Sequence, residues 1–283
     1  MQRILFPAFL RRRWLWWLLA GLTAVPLVVL ALLYWWVLPN LPAYKGDVAR
    51  LLSSATGYTI TLDRLDGEWG GARPRFVLEG VRVSQGQRPL LYFSRLDGRF
   101  GWRSLLALEP RFHSLTLEVP ALTLRRAQDG MIYVGGLQVD PNSPDTSFSD
   151  WLLRQGEVKL DGATIAWVDD TLSSPPLVLR NVRFDLQNLF TRHAFQVSAM
   201  PPAWLARPMQ VKGVLHGKRL SAPGDWHGNV ELNIPALEMS AWRPWLPVEY
   251  AAVRGMAVLR ERFLFTGGRC RQRRSNSIWQ ILK

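Results

Sequence analysis

The pattern of apolar and polar positions changes twice along the chain, and each change predicts a different structure. The first stretch, residues 14–37, carries no charge. A helix rises about 1.5 Å per residue, so these roughly 24 residues reach about 36 Å, enough to cross a hydrocarbon core of about 30 Å. Pro26 is expected to kink this helix. Aromatic residues mark both ends, as in the interfacial belts of membrane helices: Trp14, Trp17, Tyr34, Trp35 and Trp36.

The charges beside this run predict how the membrane helix is oriented. Three arginines precede it directly: Arg11, Arg12 and Arg13. The positive-inside rule places residues 1–13 in the cytoplasm and the rest of the chain outside it. The alternative is a cleaved signal peptide, whose apolar region has about 7–15 residues and a small-x-small cleavage site. Residues 38–42 offer no such site, so we expect a retained anchor.

The second stretch, residues 38–57, predicts a juxtamembrane segment with one short helix. Its apolar positions between Tyr44 and Ala55 return on one helical face, and Gly57 can cap the end. Two interpretations are open: the helix lies on the membrane surface, or it packs on the strands that follow.

From Tyr58 onward the period becomes two, with a repeated irregularity. Two apolar residues separated by one intervening residue are followed, after two intervening residues, by a second such pair, and in one copy the last member, His216, is polar. The copies are Phe76/Leu78/Val81/Val83, Leu117/Val119/Leu122/Leu124, Val158/Leu160/Ala163/Ile165, Leu177/Leu179/Val182/Phe184, Met209/Val211/Val214/His216 and Leu232/Ile234/Leu237/Met239.

The extra residue in each copy predicts a β-bulge. One added residue would turn the second half of a strand to the wrong face, and a bulge absorbs it while bending the strand. The alternative is pairs of short strands joined by tight turns. The predicted bulges are Glu79–Gly80, Pro120–Ala121, Asp161–Gly162, Arg180–Asn181, Lys212–Gly213 and Pro235–Ala236.

The predicted fold class is mainly β: a curved, bulged antiparallel sheet with a few short helices. Residues 58–137 form a first groove segment, a Pro/Ser-rich linker spans residues 138–150, and residues 151–267 form a second segment. Residues 268–283 lose the strand pattern and gain arginines. They are interpreted as a flexible basic tail or as the product of a truncation or frame shift.

Most of these strands are apolar on one side only, so that side needs a cover. The candidate helices are short, which leaves two possibilities: the sheet closes on itself as a sandwich or barrel, or a ligand covers it. An open apolar trough joined to a bilayer is a candidate lipid site. Its predicted lining residues are Phe76, Leu78, Val81, Val83, Leu115, Leu117, Val119, Leu122, Leu124 and Ile165.

Charge and composition narrow the function classes. The 283 residues carry a formal charge of +13. The basic residues are spread singly through strand-like segments beyond the anchor, which argues against nucleic acid and favours a solvated face or contact with anionic lipid headgroups. A single cysteine, Cys270, excludes an intramolecular disulfide. The histidines have no metal-ligand spacing: His113, His193, His216 and His227.

Residues for catalysis are not arranged as an active site. Asp169 and Asp170 are adjacent, so they project to opposite faces of a strand, and Gly70–Gly71 does not precede a helix that would bind phosphate. No serine lies in a Gly-x-Ser-x-Gly elbow. We therefore expect no enzymatic activity, no cofactor and no metal.

Three stretches resemble a known family: ATGYTITLDRLDGEWGGARPRFVLEGVRV (55–83), YFSRLDGRFGWRSLLALEPRFHSLTLEVPALTLRRAQDG (92–130) and VGGL (134–137). Together they are similar to the start of the AsmA-like proteins, closest to the YhdP branch. The resemblance implies an inner-membrane anchor, a repeating β-groove in the periplasm, and passive transfer of phospholipid towards the outer membrane. Known members are far longer, so the chain is interpreted as an N-terminal fragment.

Two functions follow as expectations. In the first, the anchored groove holds acyl chains and contributes to outer-membrane homeostasis, with the bilayer and phospholipid as partners. In the second, a membrane-tethered periplasmic scaffold assists the assembly of envelope proteins and recruits them by strand addition at an exposed sheet edge.

Overall fold

Most of the chain described by the computed structural model forms one large β-sheet. The described residues are 21, 23–25, 27–71, 73–102, 104, 111–139, 147–172, 174–219, 222–245, 256–266 and 269–272. Several predicted anchor and topology residues lie outside them: Trp14, Trp17, Pro26, Arg11, Arg12 and Arg13.

The N-terminal helix is described from residue 21 and ends in a π-helical turn at Leu33–Val37, followed by a 3-10 turn at Leu41–Tyr44. Among the described residues, no single helix is both long and apolar enough to cross a bilayer. Thr23–Val37 and Leu41–Ser54 meet that requirement only as a pair, and the pair is bent by 81° at the break. The membrane span therefore stays a prediction.

Helix α1, Lys45–Thr56, packs on the strands that follow it. Gly57, which follows the helix as its C-cap, has φ +74°, which confirms the predicted left-handed cap. Leu51 is 67% exposed on the other side of the helix. The side chains that face the sheet are Val48, Ala49 and Leu52. Of the two interpretations of this helix, the structure shows packing on the strands.

Fifteen strands are described, with one further α-helix between β8 and β9 and 3-10 turns at Pro223–Asp225 and Arg243–Trp245. The strands are β1 Thr59–Thr61, β2 Arg64–Gly70, β3 Arg73–Gln85, β4 Arg88–Phe100, β5 Phe112–Glu118, β6 Ala121–Arg126, β7 Ile132–Val134, β8 Leu137–Val139, β9 Glu157–Asp169, β10 Leu177–Leu189, β11 Arg192–Met200, β12 Met209–His216, β13 His227–Glu238, β14 Met256–Thr266 and β15 Arg269–Gln272. The helix is α2, Ser147–Leu153.

The sheet is open and mixed. Its main order is β1-β3-β4-β5-β9-β10-β11-β12-β13-β14-β15, while β2 pairs with β3, and β6, β7 and β8 extend beside β9. The prediction of a purely antiparallel sheet is wrong, because β5 and β6 both run parallel to β9. The connection through residues 127–156 includes the β7–β8 hairpin and α2 and returns the chain to the start of β5. A crossover of that kind makes the next strand a parallel neighbour.

Three predicted bulges are confirmed by shifts of register. They lie at Asp161–Gly162, Arg180–Asn181 and Pro235–Ala236. At each, one residue has a positive φ: +68° at Gly162, +48° at Asn181 and +53° at Ala236. The strands continue through these points, so they are not pairs of short strands. The sheet therefore bends in mid-strand along a line that crosses several strands.

Three predicted bulges turned out differently. Gly80 has φ +63°, but the register between β3 and β4 is the same on either side of it. At Lys212–Gly213 the prediction is wrong, because β12 pairs with both neighbours in one unbroken register. A Cβ at position 213 would lie 2.7 Å from the ring of Phe195, so glycine is needed there for close packing. At Pro120–Ala121 the strand is interrupted between β5 and β6.

The two faces of the sheet differ from β4 to β13; beyond these strands the polar row continues into Val77 of β3 and the apolar row into Glu261 of β14. One cross-strand row contains Leu65, Leu78, Leu96, Leu117, Leu160, Phe184, Val197, Val211 and Leu232. The row beside it points to the other face and contains Asp97, Thr116, Lys159, Asp185, Gln196, Lys212 and Glu231. Neighbouring strands lie about 4.8 Å apart, so the nine-strand apolar row is about 38 Å long.

Candidate functional site

The structure places all ten predicted lining residues on the apolar face. Phe76 and Leu115 flank Gly98 across three strands, and Leu122 opposes Ile165. The remaining predicted residues lie on the same face, because side chains alternate along each strand or because these residues contact the same hydrophobic clusters. They are Leu78, Val81, Val83, Leu117, Val119 and Leu124. That they share a face is an observation, whereas their contact with lipid stays a prediction.

The first part of the apolar face is filled by the chain itself. We name it the covered segment: the apolar side of β1–β4 beneath α1. Its buried core consists of Ile60, Leu62, Leu65, Leu78 and Val81, against which Leu41, Val48 and Leu52 pack. Phe76 and Val83 contact the same cluster. Four of the ten predicted lining residues therefore belong to, or contact, a core closed by α1.

The next part has less cover: of the described helices, α2 contacts it through Trp151, whose ring centroid lies 6.1 Å from that of Phe112 in β5. We name it the open segment: the apolar side of β5, β6 and β9–β12. Its cluster includes Leu122, Leu160 and Ile165, all of them half-buried, and no residue of a described helix belongs to it. Leu115, Leu117 and Leu124 are likewise half-buried.

The floor of the open segment lies along the line of bulges. Val119, Ala163, Val182 and Ala199 are 0–6% exposed, although the cluster around them contains only residues of strands and their bulges. Such burial without a covering layer requires that side chains of the same face close over the floor. The sheet therefore curls towards its apolar side and forms a trough whose axis crosses the strands.

The opposite face is held by ion pairs. Arg75 bonds to Asp97, with 2.9 Å between Nε and Oδ1, and also pairs with Glu68. The guanidinium lowers the pKa of the Asp97 carboxyl against the effect of its partial burial. Lys212 pairs with Glu231 at 3.3 Å. Pairs of this kind contribute about 0–1 kcal/mol each, so their main effect is to keep this face hydrated.

The strand ends form two rims. Rim A is the side with the turns after β2, β4, β10 and β12, and rim B carries the turns after β3, β9, β11 and β13. At rim A, Gln155 is 1% exposed and its Oε1 accepts a bond of 2.8 Å from the amide of Phe112. Asn188 Nδ2 donates to the carbonyls of Leu152 at 3.2 Å and Gln155 at 2.9 Å. These bonds fix the end of α2 to the trough.

His193 completes this rim network. Its Nδ1 lies 2.6 Å from Asn188 Oδ1, and its Nε2 lies 3.2 Å from the carbonyl of Gly217. The ring stacks on Trp226 with 5.2 Å between centroids. Burial lowers the pKa of the imidazole below its ordinary value. The Gly217 carbonyl raises the pKa and the charge of His216 lowers it, and the net change is a decrease.

The residues considered for catalysis have structural roles. Asp169 pairs with Arg126, and Asp170 pairs with Arg125. Burial would raise the pKa of Asp169, but bonds from Arg126 and Thr171 outweigh it and lower the pKa. Within the described ranges, no three His, Cys, Asp or Glu side chains are grouped as metal ligands.

Several residues of the trough were not predicted from the sequence. Phe184 and Val211 extend the open segment, and the spacing rule does identify both positions. Phe195 and Val197 lie in β11, which has no copy of the rule, so only strand pairing reveals them. The rim network of Gln155, Asn188 and His193 has no sequence signal because its members come from three separate elements.

The family comparison covers almost the whole chain. The family model described as YhdP protein matches residues 1–281. No curated protein and no solved structure matches the chain.

Proposed function

Since the chain belongs to the YhdP family, we propose that it binds phospholipid in the open segment of the trough and contributes to passive lipid transfer between the inner and outer membranes. The observation that carries this proposal is the apolar row through Leu117, Leu160 and Phe184, beside a hydrophobic cluster that contains no residue of a described helix. Family membership and an open sheet both fit such a role.

The mechanism follows from the two faces. Acyl chains lie on the apolar side, where each methylene removed from water contributes about 0.8 kcal/mol. Headgroups stay hydrated beyond the rims, and the polar face keeps the outside of the trough in water. Because adjacent positions along the row are chemically alike, a lipid moves along it by diffusion with small barriers.

The covered segment defines where lipid binds. Leu78 and Val81 are already buried against α1, so acyl chains occupy the trough from β5 onward unless α1 moves. The lining residues of the proposed site are then Leu115, Leu117, Val119, Leu122, Leu124 and Ile165, extended by Phe184 and Val211.

The proposal places the N-terminal helix in the inner membrane and the trough in the periplasm. Association with envelope membranes fits the family. AsmA-like proteins are lipid-transport proteins and are not known as enzymes, so we propose no reaction for this chain.

Photo-crosslinking of the full chain in native membranes tests lipid binding. A crosslinking amino acid at Leu117 or Leu160 is compared with one at Thr116 or Lys159, the neighbours on the same strands that face the other way. We expect lipid adducts at the inward positions to exceed those at the outward positions by about tenfold, because only the apolar face excludes water. Equal yields, or no phospholipid in native mass spectra of the purified chain, would refute the proposal.

The scaffold function has one supporting observation. The sheet is open, and β15 pairs only with β14 among the described strands. A free edge can recruit a partner strand. A crosslinker at Cys270 that yields protein adducts, together with inward positions that yield no lipid, would favour the scaffold.

A further inference from the structure

A cleft of about 830 Å³ lies at rim A, where strands of the open segment end. It forms where the end of β4, the start of β5, the end of α2 and the turn between β10 and β11 meet. Its floor is the rim network of Gln155, Asn188 and His193. These side chains bond to one another and to the backbone, so they hold the cleft in one shape.

The cleft carries more positive than negative charge. Its one carboxylate among the described residues, Glu157, pairs with Lys159 at 2.8 Å. Three of its cations form no ion pair with any residue that the structure describes: Arg73, Arg192 and Lys218. A cleft lined by charges of one sign concentrates their field, so it attracts an anion.

Two of these cations are neighbours. Arg192 opposes His216 across β11 and β12, and the 2.9 Å bond from the amide of Gly217 to the carbonyl of Thr191 continues the pairing by one residue. Lys218 is therefore the diagonal neighbour of Arg192, about 7–8 Å away. Two long side chains at this spacing can both reach one phosphate group.

Arg73 belongs to the far end of the cleft. It lies in β3, five strand positions from β11, which corresponds to about 24 Å along the sheet. The candidate anion site is therefore the pair of Arg192 and Lys218.

The cleft meets the apolar face of the open segment. Asn188 and His193 pair across β10 and β11, and two residues further inward on the same face Leu186 pairs with Phe195. Two residues of a strand span about 7 Å. A lipid is roughly 20 Å long, half of a bilayer of about 40–45 Å, so a headgroup in the cleft leaves its acyl chains on the apolar face.

We propose that this cleft binds the phosphate of a lipid headgroup through Arg192 and Lys218, and that it selects lipids with a net negative headgroup over zwitterionic ones. The inference rests on the proposed function, because the acyl chains occupy the open segment. Phosphate oxygens accept charge-assisted hydrogen bonds from both side chains. A zwitterionic headgroup brings its own cation into the same positive field, which offsets part of this attraction.

Lipid competition on the full chain tests this selectivity. The purified chain in mild detergent is offered equal amounts of phosphatidylglycerol and phosphatidylcholine with the same acyl chains, and native mass spectrometry measures both adducts. We expect about tenfold more phosphatidylglycerol than phosphatidylcholine on the chain, and a smaller preference in high salt.

Two double variants with the same change of charge separate the cleft from the rest of the surface. Arg192→Gln with Lys218→Gln should reduce the preference to about twofold or less, while the total lipid bound stays the same because the apolar face is intact. Arg88→Gln with Arg207→Gln, at exposed arginines of rim B, should keep the preference. All four side chains are exposed or without an ion pair, so both melting temperatures should stay within about 2 °C of the parent.

Inorganic phosphate, titrated in the absence of lipid, distinguishes a lipid headgroup from a free anion. Phosphate that binds through Arg192 and Lys218 while the two lipids are held equally would overturn the proposal. A preference that survives the substitution of both cleft cations, or that the rim B variant loses equally, would also overturn it and leave lipid binding in the trough intact. A parent chain that holds neither lipid would overturn the proposed function together with this inference.

Discussion

The covered and open segments share one spacing rule but are protected from water in different ways. In the covered segment, Leu65 and Leu78 are 2% and 6% exposed because α1 lies over them. In the open segment, Leu117 and Leu160 belong to the same cross-strand row and are only half-buried. The pattern of a strand specifies which face is apolar, whereas the cover of that face depends on elements elsewhere in the chain.

The two segments also differ in what maintains their shape. The covered segment has a helix and a buried core. The open segment depends on bulges at Gly162 and Asn181 and on the polar network at rim A. An open trough can therefore keep its shape without filling its own apolar side, which leaves that side available to a ligand.

The largest expected difference between the segments concerns stability. Leu78→Ala removes a side chain from a closed core and is expected to lower the free energy of unfolding by about 2–4 kcal/mol. Leu160→Ala removes a half-exposed side chain from the same row, with an expected loss of about 1 kcal/mol. Urea denaturation of the full chain in mild detergent measures both. Equal losses would show that something covers the open segment as tightly as α1 covers the first.

A smaller effect is expected from loosening α1. Leu52→Ser weakens its packing on the sheet, so a crosslinker at Phe76 should then capture lipid several-fold more than in the parent chain, because the covered segment becomes accessible. Leu51→Ser is the matched control, since Leu51 lies on the exposed side of the same helix. An unchanged yield in Leu52→Ser would mean that this part of the face does not accept lipid even when uncovered.

The smallest expected effect is a pH dependence located at rim A. Burial lowers the pKa of His193 below its usual value of 6.5. The unfolded chain then binds a proton more readily than the folded chain, so stability from this group is present above about pH 6.5 and is lost as the pH falls below it. The melting temperature should therefore decrease on acidification to about pH 5.5.

Asn188→Asp provides the contrast for this dependence. A carboxylate beside His193 Nδ1 favours the imidazolium and raises its pKa, so the decrease on acidification should shrink or reverse. An identical pH dependence in this variant and the parent would assign the acid sensitivity to other groups.

Much of the local structure was predictable from the sequence. Bulges at Asp161–Gly162, Arg180–Asn181 and Pro235–Ala236 follow from the extra residue in each copy of the rule, because the face of a strand alternates with every residue. The C-cap at Gly57 follows from glycine's freedom at positive φ. The rule failed at Lys212–Gly213, because glycine in a strand also serves close packing, here against Phe195.

The sequence by itself determined the faces of this protein: which side of each strand is apolar, where several strands bend, and that one side needs a cover. Periods of two and their interruptions are local, so the residues of one strand suffice to specify them. Only the tertiary structure decided that β9 returns parallel to β5 and β6, that α1 closes the first segment and leaves the next open, and that Arg192 and Lys218 meet at the cleft of rim A. Those arrangements bring together residues far apart in the chain, and they depend on long-range packing that no local spacing encodes.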